Sequence, residues 1–162
     1  MNKINVVLLS AILSGCASAP YVEPDSGPTA VLVMQSNKSD YKLLGGFSGS
    51  SVRLAVADGS GCGKLKSIED VPEDQEQVRY KIPASESIFL NYGVTRGNSS
   101  CSVTATFVPE EGKEYLVTSV SAGACLISVS SVENGSKTQV NIEKAYVDTW
   151  SAQKACKSKS DL

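Results

Sequence analysis

The chain has 162 residues, and its 15 Lys and Arg against 17 Asp and Glu give a net charge of −2 at pH 7. Such a small, mixed charge argues against nucleic acid as a partner and against a membrane surface held by charge alone. The sequence contains no histidine. This excludes Ser-His-Asp and Cys-His catalysis and removes the commonest metal ligand. We therefore expect neither an enzyme nor a protein with a cofactor or a metal.

Residues 1–15 have the zones of a secretory signal: a basic residue (Lys3), an apolar run over residues 6–13, and the small residues Ser14 and Gly15 before Cys16. The apolar run is too short for a spanning helix of about 20 residues. The sequence Leu-Ser-Gly-Cys that ends at Cys16 resembles the lipobox of bacterial lipoproteins. The resemblance implies export, cleavage before Cys16, and acyl chains on Cys16 that anchor the protein in a membrane.

The residues after the modified cysteine influence sorting in the lipoprotein family. Ala17 and Ser18 lack the Asp that retains many such lipoproteins at the inner membrane. The resemblance therefore implies lipid anchoring at the outer membrane, on its periplasmic face. A Gram-positive host or surface display remains an alternative.

Residues 16–28 are expected to form the acylated N-terminus and a flexible tether. Residues 17–28 hold three of the six prolines and show no periodic apolar pattern. Twelve extended residues reach at most about 40 Å. The remaining residues, 29–162, are expected to form a single domain.

Short segments with alternating apolar residues recur along this domain, bounded by Gly, Ser, Asn and Pro. The segments cover residues 30–34, 52–56, 78–82, 88–92, 101–107, 116–120 and 125–129. Residues 109–112 join two of these patterns, and Asn134-Gly135 is a strong hairpin signal. The pattern predicts an all-β fold, an antiparallel β-sandwich of about seven to eight strands.

The C-terminal segment allows two interpretations. Residues 143–156 include fair helix formers, and Val147, Trp150 and Lys154 would lie near one face at helical spacing. The segment therefore predicts either a short C-terminal helix or an irregular stretch held by Cys156.

Five cysteines occur in the chain. If Cys16 carries lipid, Cys62, Cys101, Cys125 and Cys156 remain. An even number in an oxidising compartment predicts two disulfides, with three connectivities open. A zinc site is disfavoured because its ligands normally come in close pairs, whereas these gaps are wide.

The stretch from Cys101 through Phe107-Val108-Pro109 and Tyr115-Leu116-Val117 to Cys125 resembles a pattern seen in small β-sandwich domains of the bacterial envelope. The resemblance implies that Cys101 pairs with Cys125, which leaves Cys62 with Cys156. A tight hairpin at residues 121–124 would separate the first pair by a third strand, about 9.5 Å between backbones. Because a disulfide needs Cα atoms within about 7 Å, the pairing requires residues 121–124 to arch between sheets or to bulge.

Three short motifs resemble known catalytic or binding patterns, but each is incomplete. Ser39 and Lys42 match an S-x-x-K spacing, as do Ser151 and Lys154, but the partner motifs are missing. Residues 59–64 suggest a phosphate-binding loop, yet Asp58 and Leu65 break the pattern at both ends. Five carboxylates in residues 69–76 lack the spacing of a calcium loop and indicate a solvated loop.

The leading functional hypothesis is a non-enzymatic, lipid-anchored periplasmic protein that binds another envelope protein as an adaptor, accessory subunit or inhibitor. Sheet edges and the loops 45–51 and 59–75 are the candidate contact surfaces, because sandwich domains carry function on loops set by a rigid frame. The alternative hypothesis is a small-ligand carrier with an apolar cavity inside the sandwich.

Overall fold

The structure is a computed structural model that describes residues 19–35, 48–68, 77–96, 98–121, 125–148 and 153–162. Several residues singled out above lie outside these ranges. They are Cys16, the predicted lipidation site, with the residues before it, the Ser39 motif, the acidic run 69–76 and Trp150.

The described residues form strands and one short 3₁₀ turn at Lys159–Asp161. The strands are β1 (Thr29–Gln35), β2 (Ser48–Val56), β3 (Cys62–Lys64), β4 (Lys66–Ser67), β5 (Gln77–Pro83), β6 (Ile88–Arg96), β7 (Ser99–Phe107), β8 (Glu114–Ser121), β9 (Cys125–Glu133), β10 (Ser136–Gln139), β11 (Glu143–Lys144), β12 (Tyr146–Val147) and β13 (Lys154–Cys156).

Two five-stranded sheets pack face to face. The first sheet has the order β10-β9-β8-β1-β5 and the second the order β11-β7-β6-β2-β4. Alternating apolar residues of both sheets meet in one buried core, which includes Leu32, Ile82, Val129, Leu54 and Leu90. The predicted all-β sandwich is therefore confirmed. One pair departs from the antiparallel expectation, since β1 lies parallel to β8.

A third sheet, of order β12-β13-β3, covers the outer face of the second sheet. A second buried cluster lies beneath it: Ala55, Leu65, Phe89, Ala145 and Ala155. Strand β3 approaches β2 so closely that a Cβ at Gly63 would collide with the carbonyl oxygen of Val56. This third layer was not anticipated from the sequence, and it explains why β6 is buried on both faces over residues 88–92.

Of the two interpretations of the C-terminal segment, the short helix is wrong for the described residues. Strands β11, β12 and β13 take its place, and β13 pairs with β3 so that Cys156 lies opposite Cys62. Ala155 and Cys156 are both fully buried. Their burial in strand pairing with a distant segment outweighs the modest helix propensity of residues 143–156.

The chain changes sheets between β7 and β8, at residues 108–113. Strand β7 belongs to the second sheet, whereas β8 and β9 are neighbours in the first, with Ser121 paired to Cys125. Residues 122–124, which were expected to arch or bulge, lie outside the described residues, but the premise of a third strand between Cys101 and Cys125 within one sheet is wrong. Cys101 and Cys125 meet across the sandwich because the crossover had already occurred before β8.

Residues 19–23, here called the N-terminal strap, are bound to the domain, although they were expected to belong to a flexible tether. The Tyr21 N–H donates to the carbonyl of Ser67 at 2.8 Å, and the Ser67 N–H donates to the carbonyl of Ala19 at 3.0 Å. On the other sheet, the Tyr21 hydroxyl donates to the Lys81 carbonyl at 2.9 Å, and the Lys81 N–H donates to the Glu23 carboxylate at 3.0 Å. The strap therefore closes the edges of β4 and β5.

Tyr21 makes the stability of the folded domain depend on pH in the alkaline range. Burial, with a further contribution from the charge of Glu23, raises the pKa of Tyr21 to about 12. The ordinary pKa is about 10, so folding favours the neutral phenol. This stabilisation is fully present below pH 10 and is lost as the pH rises from 10 to 12.

We expect Tyr21→Phe to lower the free energy of unfolding by about 1 kcal/mol below pH 10, through loss of one hydrogen bond. The difference between wild type and variant should then shrink between pH 10 and 12, because only the wild type ionises at this position. Urea denaturation at a series of pH values measures this difference in the free energy of unfolding. A difference that stays constant up to pH 12 would contradict the assigned shift.

Candidate functional site

A cleft of about 520 Å³ opens at one lateral edge of the sandwich, where β7 of the second sheet faces β9 of the first. Residues 142–147 form its third side. The lining residues are Ser102, Val103, Thr104, Ala105, Leu126, Ile127, Ile142, Glu143, Lys144, Ala145, Tyr146 and Val147.

The β7 side of the cleft has open backbone groups. Strand β11 pairs with β7 only at Thr106 and Ala105, and the Ala145 N–H then donates to the Thr104 carbonyl at 3.0 Å. Backbone groups alternate in direction along an antiparallel strand, so those of Ser102 and Ser100 point the same way as those of Thr104. No strand among the described residues pairs with them on this side.

The β9 side is open in the same manner. Strand β10 pairs with β9 over Ser130–Glu133, and the Val140 N–H donates to the Val129 carbonyl at 2.9 Å. By the same alternation, the backbone groups of Ile127 point outward. Within the part of the chain that the structure describes, they too meet no further strand. Two open edges, one from each sheet, therefore border a single cleft.

A disulfide joins these two edges. Cys101 of β7 is bonded to Cys125 of β9, with their Cα atoms 5.8 Å apart. The other disulfide joins Cys62 to Cys156, with a Cα separation of 4.1 Å, and holds β3 against β13. This is the connectivity that the resemblance to envelope sandwich domains implied.

The cleft exposes apolar side chains. Leu126 is 61% exposed, and Ile127, Ile142 and Val147 are half-buried. Tyr146 is also half-buried, and the Lys144 ammonium lies 5.4 Å from the centre of its ring. A sheet edge with both open backbone groups and apolar neighbours offers the two kinds of contact that an added strand uses.

A row of polar side chains fixes β7 behind the cleft. Arg53 of β2 donates to the Asn91 Oδ1 of β6 through Nε at 3.1 Å and Nη2 at 2.7 Å. Asn91 Nδ2 donates in turn to the Thr104 Oγ1 of β7 at 2.8 Å. Burial lowers the pKa of Arg53, but a guanidinium stays protonated at any physiological pH. The row ties three strands together across a face where Asn91 is only 1% exposed.

The described part of the chain contains no cluster of three or more Cys, Asp or Glu that could hold a metal ion. The glycine-rich segment at residues 59–64 forms a turn that leads into β3. Asp58 caps this turn by accepting from the Ser60 hydroxyl and N–H, and these hydrogen bonds lower the pKa of Asp58. Its carboxylate is therefore engaged locally.

The two predicted contact loops are only partly loops. Residues 48–51 belong to β2, and residues 62–67 contribute β3 and β4, with Leu65 and Ile68 buried. Residues 59–61 form a turn, and residues 45–47 and 69–75 lie outside the described residues.

The cleft itself was not predicted, although one signal for it exists in the sequence. Leu126 sits between Cys125 and Ile127, on the face of an alternating strand where the next two positions are Ser128 and Ser130. No helix in the described ranges has the length and apolarity needed to cross a membrane.

We expect Asn91→Ala to lower the free energy of unfolding by roughly 1–3 kcal/mol, because Arg53 loses the hydrogen bonds to Asn91 Oδ1 and the buried Thr104 hydroxyl loses the one from Asn91 Nδ2. Thr95→Ala, on the exposed part of the same strand, is the control and should change stability little. Urea denaturation measures both. Equal effects of the two substitutions would show that the row does not support β6.

We expect the two disulfides to be reduced in a fixed order. Cys62 and Cys156 are 1% and 0% exposed, whereas Cys101 and Cys125 are half-buried at the cleft mouth. Since exchange requires access of a thiolate to sulfur, a limiting dithiol reductant should open Cys101–Cys125 first. Alkylation followed by peptide mass spectrometry reports the order. Earlier labelling of Cys62 or Cys156 would contradict it.

Comparison of the chain with protein-family models, with curated proteins and with solved structures gave no match. No relative therefore supplies a function by similarity. The conclusions about function below depend on the sequence and on the geometry of the cleft.

Proposed function

We propose that this protein is a non-enzymatic, lipid-anchored envelope protein that binds another envelope protein at the cleft between β7 and β9. The main support for this proposal is that two open sheet edges, one from each sheet, border the same apolar cleft. The anchor is the lipid on Cys16, and the location is the periplasmic face of the outer membrane. The absence of histidine and of a recognisable catalytic motif supports a binding role rather than catalysis.

The partner contributes an extended segment that adds as a strand to β7. The chain itself provides the precedent, because β11 already occupies the first part of this edge in antiparallel pairing with Thr106 and Ala105. The chain then leaves β7 for β13, so the edge at Ser102 and Ser100 continues without a strand. A partner strand placed there would lie beside β7 in line with β11. It would form hydrogen bonds with the outward backbone groups of Ser102 and Ser100.

Apolar side chains of the partner would give this pairing its specificity. Side chains of an added strand alternate between the two faces of the sheet. One set would contact Leu126, Ile127 and Ile142, and the other would contact Tyr146 and Val147. The partner segment is therefore an extended peptide with apolar residues at alternate positions.

A small apolar ligand is the second candidate. The cleft volume of about 520 Å³ falls within the range of small-molecule sites, about 300–1,000 Å³. The interior between the two main sheets is occupied by the packed core, so such a ligand would bind at this edge rather than inside the sandwich.

Photo-crosslinking in intact cells tests the protein-binding proposal. A benzoylphenylalanine at Leu126 should yield one dominant protein adduct, identified by mass spectrometry down to the contacted segment. The matched control is Val108, which is 52% exposed but lies outside the cleft lining. Equal adducts at both positions would contradict a specific site at the cleft. Absence of a protein adduct, with a constant added mass on the purified protein, would favour the small ligand.

Strand addition is tested with a synthetic peptide copied from the crosslinked segment. Ser102→Pro removes an outward N–H and should raise the peptide Kd about tenfold, whereas Ser102→Ala keeps the backbone donor and should leave it unchanged. The domain should stay folded, because proline is tolerated where its nitrogen faces away from the ladder. Equal Kd values for both variants would show that the peptide does not pair with β7.

A further inference from the structure

The N-terminal strap determines where the lipid anchor is attached to the domain. Its hydrogen bonds hold Ala19 and Tyr21 against Ser67 of β4, and hold Tyr21 and Glu23 against Lys81 of β5. Tyr21 also packs edge-on against the ring of Tyr80, with centroids 6.5 Å apart. The chain thus leaves the domain at one lateral edge of the sandwich, the edge formed by β4 and β5.

The bound strap shortens the free tether. From Cys16 to Ala19 there are three Cα–Cα steps of about 3.8 Å, which span at most about 11 Å. A tether that was free up to residue 28 would instead reach about 40 Å. With the strap in place, the edge formed by β4 and β5 cannot move far from the lipid on Cys16.

The cleft lies at the opposite lateral edge. Strands β2 and β6 separate β4 from β7, and strands β1 and β8 separate β5 from β9. Three strand spacings of about 4.8 Å place β7 and β9 about 14 Å from the edge that carries the strap.

We propose that the strap orients the domain on the bilayer, with the edge formed by β4 and β5 toward the lipid headgroups and the cleft facing away from them. This proposal rests on the lipid anchor of the proposed function and adds the orientation of the domain relative to the membrane. Its consequence concerns the partner. The partner segment must come from a protein, or part of one, that extends into the aqueous compartment, not from a segment embedded in the same membrane.

Energy transfer on vesicles tests this orientation. The mature chain, with both disulfides intact, is coupled through the Cys16 thiol to a maleimide headgroup lipid, and the headgroups carry the acceptor dye. The donor is placed by an unnatural amino acid at Gln77 of β5 or Lys137 of β10, two exposed positions on the opposite edge strands of the first sheet. Transfer should be stronger from Gln77 than from Lys137.

Two variants identify the strap as the cause. Tyr21→Ala should reduce the difference between the two donor positions, as should a Gly/Ser insertion before Ala19 as long as the predicted tether. Val22→Ala is the matched control, since Val22 is 68% exposed within the same strap, and it should preserve the difference. Equal transfer from both positions in the unaltered chain, or stronger transfer from Lys137, would overturn the proposed orientation.

The anchor is tested separately. Mass spectrometry of the N-terminal peptide from cells shows whether Cys16 carries acyl chains. An unmodified Cys16 would refute the anchoring part of the proposed function, whereas the vesicle experiment measures the orientation that the strap imposes on its own.

Discussion

Burial of both faces of β6 connects the three sheets. Ile88 and Leu90 point into the core shared with the first sheet, while Phe89 points into the cluster beneath the third. A strand in this position must carry apolar residues at consecutive positions, and the amide of Asn91 fits only because it is hydrogen-bonded. Strand β7 is paired with β6 along its whole length, so the position of the cleft depends on this central strand.

The two lateral edges of the sandwich differ in how they are covered. Unpaired strand edges invite uncontrolled association, and proteins normally cover them or make them polar. Here the strap covers β4 and β5, and β10 is short and fully polar. The edges at β7 and β9 are bordered instead by apolar side chains and held together by a disulfide. A rigid open edge needs little ordering on binding, which reduces the entropic cost of adding a strand.

The sequence was sufficient for the all-β sandwich because alternation with period two reports burial of one face directly. It was insufficient for the third layer, whose strands are only two or three residues long and carry no periodic signal. A C-terminal helix remained one of two interpretations because local propensity allowed it, whereas pairing of Ala155 and Cys156 with β3 is a long-range effect. The strap was not predicted because Tyr21 lies among prolines. The cleft was not predicted because its open edges depend on where β11 ends.

The link between β3 and β13 also has a consequence for the order of folding. Cys62 and Cys156 are 94 residues apart, and closing so long a loop stabilises the folded state by about 4–5 kcal/mol in the chain-entropy model. Strand β3 has β13 as its ladder partner, so the third layer forms only once the last residues of the chain are present. Under the proposed export, this layer cannot form until the segment that carries Cys156 has crossed the membrane, so the chain would cross before this domain is complete.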